Sequence, residues 1–193
     1  MSDTRERVLG AARQIYLSEG LRSLSMRKVA AEVGISATAI YRHFENKEAM
    51  LISLVAQGSH LFFQYLSRGL AGKTAAERLE LSGMAYLDFA LDHSSYYRIL
   101  FMSSQEDIGL ERLCAESSES FAPTFQYLVD RVRDCMVEGV LAEADADATA
   151  LTIWAGCHGF VSLYLSHNLP MLSEEQLREL YRSANSSLIR GLG

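Results

Sequence analysis

The stretch from Ser25 to Phe44, SMRKVAAEVGISATAIYRHF, narrows the folds open to this chain more than any other feature. It predicts two short helices around a tight turn. Ser25 offers a hydroxyl to cap the first, and Val29, Ala30 and Val33 recur on one face at helical spacing. Gly34 stands where that helix must end, at a position favouring the left-handed backbone. Ile35 is expected to pack back, and Ser36 to cap the next helix. Ile40 and Phe44, four apart, give that second helix one buried edge. Thr38, Ala39, Tyr41, Arg42 and His43 are left pointing outward. Small, polar, aromatic and basic side chains are what a helix needs to approach base edges and phosphates.

A net charge of −6 over 193 residues runs against DNA binding until its distribution is read. Residues 1–50 hold eight Lys/Arg against six Asp/Glu and are at +2, whereas residues 51–193 hold ten against eighteen and are at −8. Phosphate attraction depends on local charge, so the first segment can meet DNA while the rest is repelled from it.

The rest of the chain reads as helix. Hydrophobic content of 49% supports a packed core, and only Pro123 and Pro170 interrupt it. A first helix is expected from Thr4 to Glu19, with Asp3 and Glu6 as a capping box and Val8, Ala11, Ala12, Ile15 and Tyr16 buried. Asn46 should cap a long helix reaching about Leu70, with Met50, Leu51, Leu54, Val55, Leu61 and Phe62 on its apolar side, and Gly72 should break it. Thr74 with Glu77 and Ser173 with Gln176 form two further capping boxes. The first of these opens a helix carrying Leu81, Met84, Ala85, Phe89 and His93. A short helix is expected over Tyr96–Met102, then a polar, irregular stretch to 120 with one turn around Leu110–Ala115. A helix with Pro123 in its first turn should run to Leu141, and another should follow from Ala146 to His167. No run of about 18 apolar residues is seen, so no membrane span is expected. The polar N-terminus is unlike a signal peptide, and Cys114, Cys135 and Cys157, three and widely spaced, suit reduced thiols in the cytoplasm.

The first fifty residues resemble the DNA-binding domain of the tetracycline-repressor (TetR) family of bacterial transcription regulators. The resemblance rests on the helix ending at Glu19 and Gly20, the run Ser25 to Ala30, Val33 to Ser36, Ile40 to Phe44, and Asn46, Lys47 and Glu48. A shorter likeness, Trp154 followed by His158 and Gly159, matches the Trp-x-x-x-His-Gly signature of one class of regulatory domain in that family. The resemblance implies an all-α fold of about nine helices. A three-helix helix-turn-helix DNA-binding domain would occupy 1–48, and a helical ligand-binding and dimerisation bundle 49–193. It implies that Tyr41 touches a phosphate or a thymine methyl, that Thr38 and Ala39 face bases, and that His43 and Lys47 hold phosphates. Arg27 would reach the backbone or a base. Arg42 lies where contacts vary between members, and Ser25 and Ser36 complete this surface. The implied partners are a double-stranded DNA operator, a small-molecule effector and a second copy of the chain, with no membrane and no cofactor.

For the second part the residues leave two readings open. Tyr86, Phe89, Tyr96, Tyr97, Phe101, Phe121, Phe125, Tyr127, Trp154, Phe160 and Tyr164 either surround an apolar ligand cavity or fill an ordinary core. Tyr86, Phe89, Tyr97, Phe101, Phe125, Trp154 and His158 are the candidate ligand contacts. Gly156, Gly159 and Ser162 form a small-residue strip. With Leu177, Leu180, Tyr181 and Leu188 they are the candidate dimer interface, the alternative being close packing inside one subunit. His158 and Cys157 are adjacent without a second pair at metal spacing, so no metal site is expected. Ser, His and Asp occur without a nucleophile elbow or a phosphate loop, which disfavours an enzyme. A ligand-free architectural DNA binder is the other alternative. The reading taken is a transcriptional repressor whose operator binding a small, largely apolar ligand relieves.

Overall fold

The computed structural model describes residues 2–102, 118–169 and 171–193. The expected turn at Leu110–Ala115, Cys114, Pro170 and the side chain of Phe121 lie outside what it describes. Nine α-helices and two 3₁₀ turns make up the described residues, with no strand among them.

Six helices cover the first half: α1 (Ser2–Glu19), α2 (Met26–Val33), α3 (Ala37–Ile40), α4 (Lys47–Leu66), α5 (Ala75–Asp92) and α6 (Ser94–Phe101). Three follow: α7 (Ser118–Val137), α8 (Ala146–Leu165) and α9 (Glu174–Gly191). Chain contacts divide the molecule into two compact units. The first takes 1–59 and 95–119, the second 60–94 and 120–193. Helix α4 passes from the first into the second.

In the first unit Val8, Ala12, Ile15 and Tyr16 of the expected α1 stripe are buried while Ala11 is half-buried, and Leu9, Leu24, Met26, Val29, Ala30, Ile40, Phe44 and Met50 join them. Because α1 starts at Ser2, Asp3 lies within the helix and cannot be its N-cap. Arg7 donates to the Val33 carbonyl at 2.7 Å, filling an acceptor that the end of α2 leaves unpaired. The Arg5 guanidinium sits over the Phe44 ring, 5.1 Å from its centre. The aromatic residues of α6 belong here. Tyr96 donates to Gln57 Oε1 at 2.6 Å, and the Arg13 guanidinium lies 4.5 Å above its ring.

In the second unit both capping boxes form. The Glu77 amide donates to Thr74 Oγ1 at 3.1 Å, and the Gln176 amide to Ser173 Oγ at 3.2 Å. Helix α4 gives way to a 3₁₀ segment, Ser67–Ala71, short of the expected helical end at Leu70. Helix α7 begins at Ser118, so Pro123 lies inside it rather than in its first turn, and the expected irregular stretch does not reach 120. Helix α7 stops at Val137, because Gly139 turns left-handed at φ 70°. Leu81, one of the apolar residues expected on α5, is 42% exposed, while Leu79 and Tyr86 are buried on that helix.

Candidate nucleic-acid interface and ligand cavity

The helix-turn-helix is built by three local devices. The Lys28 amide donates to Ser25 Oγ at 3.3 Å, and the Ala39 amide to Ser36 Oγ at 3.1 Å. Between them Gly34 adopts φ 75° and ψ 32°, a left-handed conformation that bends the chain from α2 into α3. Ser25 and Ser36 thus act first as caps. Helix α3 is only four residues of α-helix, and tight turns continue it. The His43 amide donates to the Ile40 carbonyl at 2.9 Å and the Phe44 amide to the same oxygen at 3.1 Å. Ile40 and Phe44 are buried, so the opposite edge faces outward. Thr38, Tyr41 and Arg42 on that edge are exposed, Tyr41 to 54%, while Ala39 and His43 are half-exposed.

The cations around this edge are not equivalent. Arg27 is exposed on α2. Lys28, its neighbour, pairs with Glu19. Lys47 has a structural partner that its position in the sequence does not reveal, since its Nζ donates to the Leu21 carbonyl at 2.6 Å. Asn46 caps α4 as expected, accepting from the Ala49 amide at 2.7 Å.

In the second unit α4, α5, α7, α8 and α9 surround a cavity of about 240 Å³. Phe62, Leu66, Leu79, Met84, Phe125, Leu128, Ile153, Trp154, Leu188 and Ile189 give it apolar walls. Ser82, Tyr86, Thr124, Tyr127, Cys157, Asn185 and Ser186 supply polar groups, and Glu80, Arg182 and Arg190 supply charge. Three of the expected ligand contacts are brought together here: Tyr86, Phe125 and Trp154. His158 stands one layer behind. Its Nδ1 lies 3.3 Å from the Tyr86 hydroxyl and its Nε2 3.2 Å from Ser162 Oγ.

The other three expected contacts do not line this cavity. Phe89 is fully buried among Phe62, Tyr65 and His93, with ring centres 5.0, 5.7 and 5.9 Å away. Tyr97 and Phe101 fall in the first unit, where their rings pack 5.0 Å apart. An aromatic residue on a helical stripe is buried either way, and only packing decides whether its neighbour is a void. The expectation missed Glu80, Arg182, Asn185, Ser186 and Arg190. Spacing alone carried a signal, since 182, 185, 186 and 189 share one face of α9.

Two descriptions of known protein families fit this chain. "Bacterial regulatory proteins, tetR family" matches residues 8–54, and "Tetracyclin repressor-like, C-terminal domain" matches 79–187, more than half of the sequence. The chain belongs to the tetracycline-repressor family. This TetR-family protein is a helix-turn-helix transcriptional regulator. The HTH-type transcriptional regulator UidR of Escherichia coli strain K12 is 39% identical to it over 147 residues, 72% of this chain and 69% of that protein. YerO of Bacillus subtilis strain 168, an uncharacterized HTH-type transcriptional regulator, is 29% identical over 104 residues. That match covers 52% of this chain and 36% of YerO, about a third of the relative's length. A TetR-family crystal structure from Syntrophomonas wolfei shares the fold, with a TM-score of 0.81 at 16% identity over 100% of this chain and 97% of that one. The Trp154–Gly159 motif is not what these matches show.

Part of the expected dimer surface of this TetR-family protein is internal to the subunit. Leu177 and Tyr181 are fully buried, and Tyr181 donates to the Gly83 carbonyl at 2.9 Å. A Cβ on Gly156 would come within 2.8 Å of Leu188 Cδ2, the tip of a side chain on α9, although Gly156 itself is exposed. Leu180 stays 48% exposed, and a Cβ on Gly159 would meet nothing within 4 Å. Among the described residues one helix, α8, is long and apolar enough to cross a membrane by length and composition. Its Ile153, Cys157, Val161 and Leu165 are buried inside this fold, as they are in a core helix.

Burial sets the protonation states. It pushes the Cys135 thiol up to about 11 and the Cys157 thiol upward, so both stay protonated and unreactive near neutrality. Burial holds His158 below its ordinary value of 6.5. Its neutral form is therefore favoured in the folded chain, and the unfolded chain binds the proton more readily. The stability that His158 contributes is complete above the unfolded value and is lost as pH falls from there through its lower folded value. His158→Gln should flatten that acid limb, read from urea midpoints at about pH 5 and about pH 7. An unchanged limb would assign the acid sensitivity to other groups.

Proposed function

We propose that this TetR-family regulator is a homodimeric repressor, released from a near-palindromic operator by a small, largely apolar ligand. The cavity in the second unit carries this reading. At about 240 Å³ it exceeds the roughly 150 Å³ that can enclose a benzene molecule, and it combines apolar walls with a few polar groups. Tyr86, Phe125 and Trp154 would touch the ligand. His158 would act through the Tyr86 hydroxyl.

Two copies would set two α3 edges on half-sites about one helical turn apart, roughly 34–36 Å. The docking face for the second copy is an apolar groove at the end of α8 and the start of α9. Leu163, Met171 and Leu180, at 48%, 91% and 48% exposure, line it beside Phe160 and Leu169. Such a patch marks an interface more often than bare surface. The half-exposed Gly159 and Ser162 belong to the same helix. A ligand would weaken operator binding only by favouring a head spacing that no longer fits both grooves. Helix α4, shared by both units, is the natural lever.

Tyr41 is the sharpest probe of the reading edge. Being exposed, it can be replaced at a stability change within about 0.5 kcal/mol. Tyr41→Ala should cost about 1–3 kcal/mol of operator affinity per head while the dimer stays folded. Lys47→Ala is less clean, because it also strips the Leu21 carbonyl of its partner. Fluorescence anisotropy on an operator selected from random duplexes would measure both. Unchanged affinity for Tyr41→Ala would remove α3 from the interface. Operator binding indifferent to every cavity ligand would favour an architectural protein.

A further inference from the structure

The charged side chains at the cavity are unevenly balanced. Three of the lining residues bear charged side chains: Arg182 and Arg190 on α9, and Glu80 on α5. All three are exposed, so their charged ends meet solvent rather than the apolar interior of the cavity. None enters an ion pair among the described residues. Arg178 on the same helix is compensated, bound by Asp88 and by Glu174 at 3.0 Å. Arg190 bonds only the neutral Ser187 hydroxyl, at 2.9 Å. The charged lining residues therefore carry a net positive charge in a portion of chain, 51–193, whose net charge is −8. A cationic spot on an acidic background draws anions to one place and repels them elsewhere.

Behind this rim the walls are aliphatic and aromatic, with Trp154 among them. An apolar body can be buried there while Ser82, Tyr86, Tyr127 and Cys157 keep the hydrogen-bond partners they already have, and a charged head stays at the solvated rim. An ionised head placed deeper would have to be desolvated without a buried cation to meet it.

We infer that the effector is an amphipathic anion. Its apolar body fills the cavity, and its carboxylate or phosphate pairs at the solvated rim with Arg182 or Arg190. A guanidinium pairs bidentately with either head group. Glu80 opposes the anion and sets an upper limit on the charge tolerated. This inference rests on the cavity being the effector site.

Trp154 is the single tryptophan of the chain and lies in the wall, so its fluorescence reports occupancy directly. The full-length protein would be titrated with straight-chain carboxylates of about six to about twelve carbons, with alkyl phosphates and with alcohols of equal length. The best carboxylate or phosphate should bind at least about tenfold more tightly than its matching alcohol. Preference between the two anions identifies the head group. In the double variant Arg182→Gln/Arg190→Gln the discrimination should collapse toward unity, the anion losing more affinity than the alcohol. Glu80→Gln should widen it. Thermal melts confirm folding of each variant. Alcohols binding as tightly as anions, or discrimination surviving the double variant, overturns the anionic head while sparing the cavity. Absence of any Trp154 response to anions and alcohols alike overturns the cavity reading and this inference with it.

Discussion

Phe89→Ala is expected to remove about 3–5 kcal/mol of stability. The Phe89 ring has no exposed surface, and three other rings enclose it at centre distances of 5.0–5.9 Å. Two of its neighbours are held from elsewhere. The Tyr65 hydroxyl donates to Asp92 Oδ2 at 2.9 Å and lies 3.0 Å from His93 Nε2. They cannot swing inward to fill the hole without breaking those bonds, so most of the void persists. Urea unfolding should show a lower midpoint at unchanged slope. Phe125→Ala should lose less, since Phe125 is half-buried and already borders a cavity. Equal losses at both positions would mean that Phe89 is not part of a closed core.

Gly69→Ala should destabilise the second unit by about 3 kcal/mol, by overpacking and by breaking buried hydrogen bonds. A Cβ at Gly69 would lie 2.0 Å from Ser82 Oγ and 2.9 Å from both the Arg78 carbonyl and the Ser82 amide. Ser82 Oγ cannot simply rotate away. It donates to the Arg78 carbonyl at 2.7 Å and lies 3.0 Å from the Tyr127 hydroxyl, which donates to the Leu66 carbonyl at 3.0 Å. The 3₁₀ turn must therefore shift off α5. Adding Ser82→Gly should recover only part of the loss, because the two backbone contacts remain. Full recovery in a double-mutant cycle would place the strain in the hydroxyl alone, and an unchanged melting temperature for Gly69→Ala would show the crossing to be loose.

What could be read early was whatever depends on a few neighbouring residues. Ser25, Ser36, Asn46, Thr74 and Ser173 all cap as their sequences suggest, because a cap is made within one turn. Gly34 turns left-handed where the helical pattern stops. Asp3 and Pro123 were misplaced because the helices begin earlier than their cap-like residues, at Ser2 and Ser118. Helix starts set by tertiary packing leave no local mark. The candidate ligand contacts split for a related reason. Tyr86, Phe125 and Trp154 reach the cavity, whereas Phe89, Tyr97 and Phe101 pack against other side chains. Tyr181 and Leu177 read equally well as a dimer seam or as core, and burial makes them core.

Order along the chain was enough to show which segments are helical, most of their caps, and the outward edge of α3 opposite Ile40 and Phe44. Helical periodicity and capping act over three or four residues, and the sequence states them directly. The third dimension alone decided where side-chain volume falls short of the space between five helices. It also decided that Lys47 reaches Leu21, and that Arg182 and Arg190 line the cavity with no ion pair among the described residues while Arg178 is bound by Asp88. Voids and long-range pairings depend on residues tens of positions apart, whose distances no local pattern encodes.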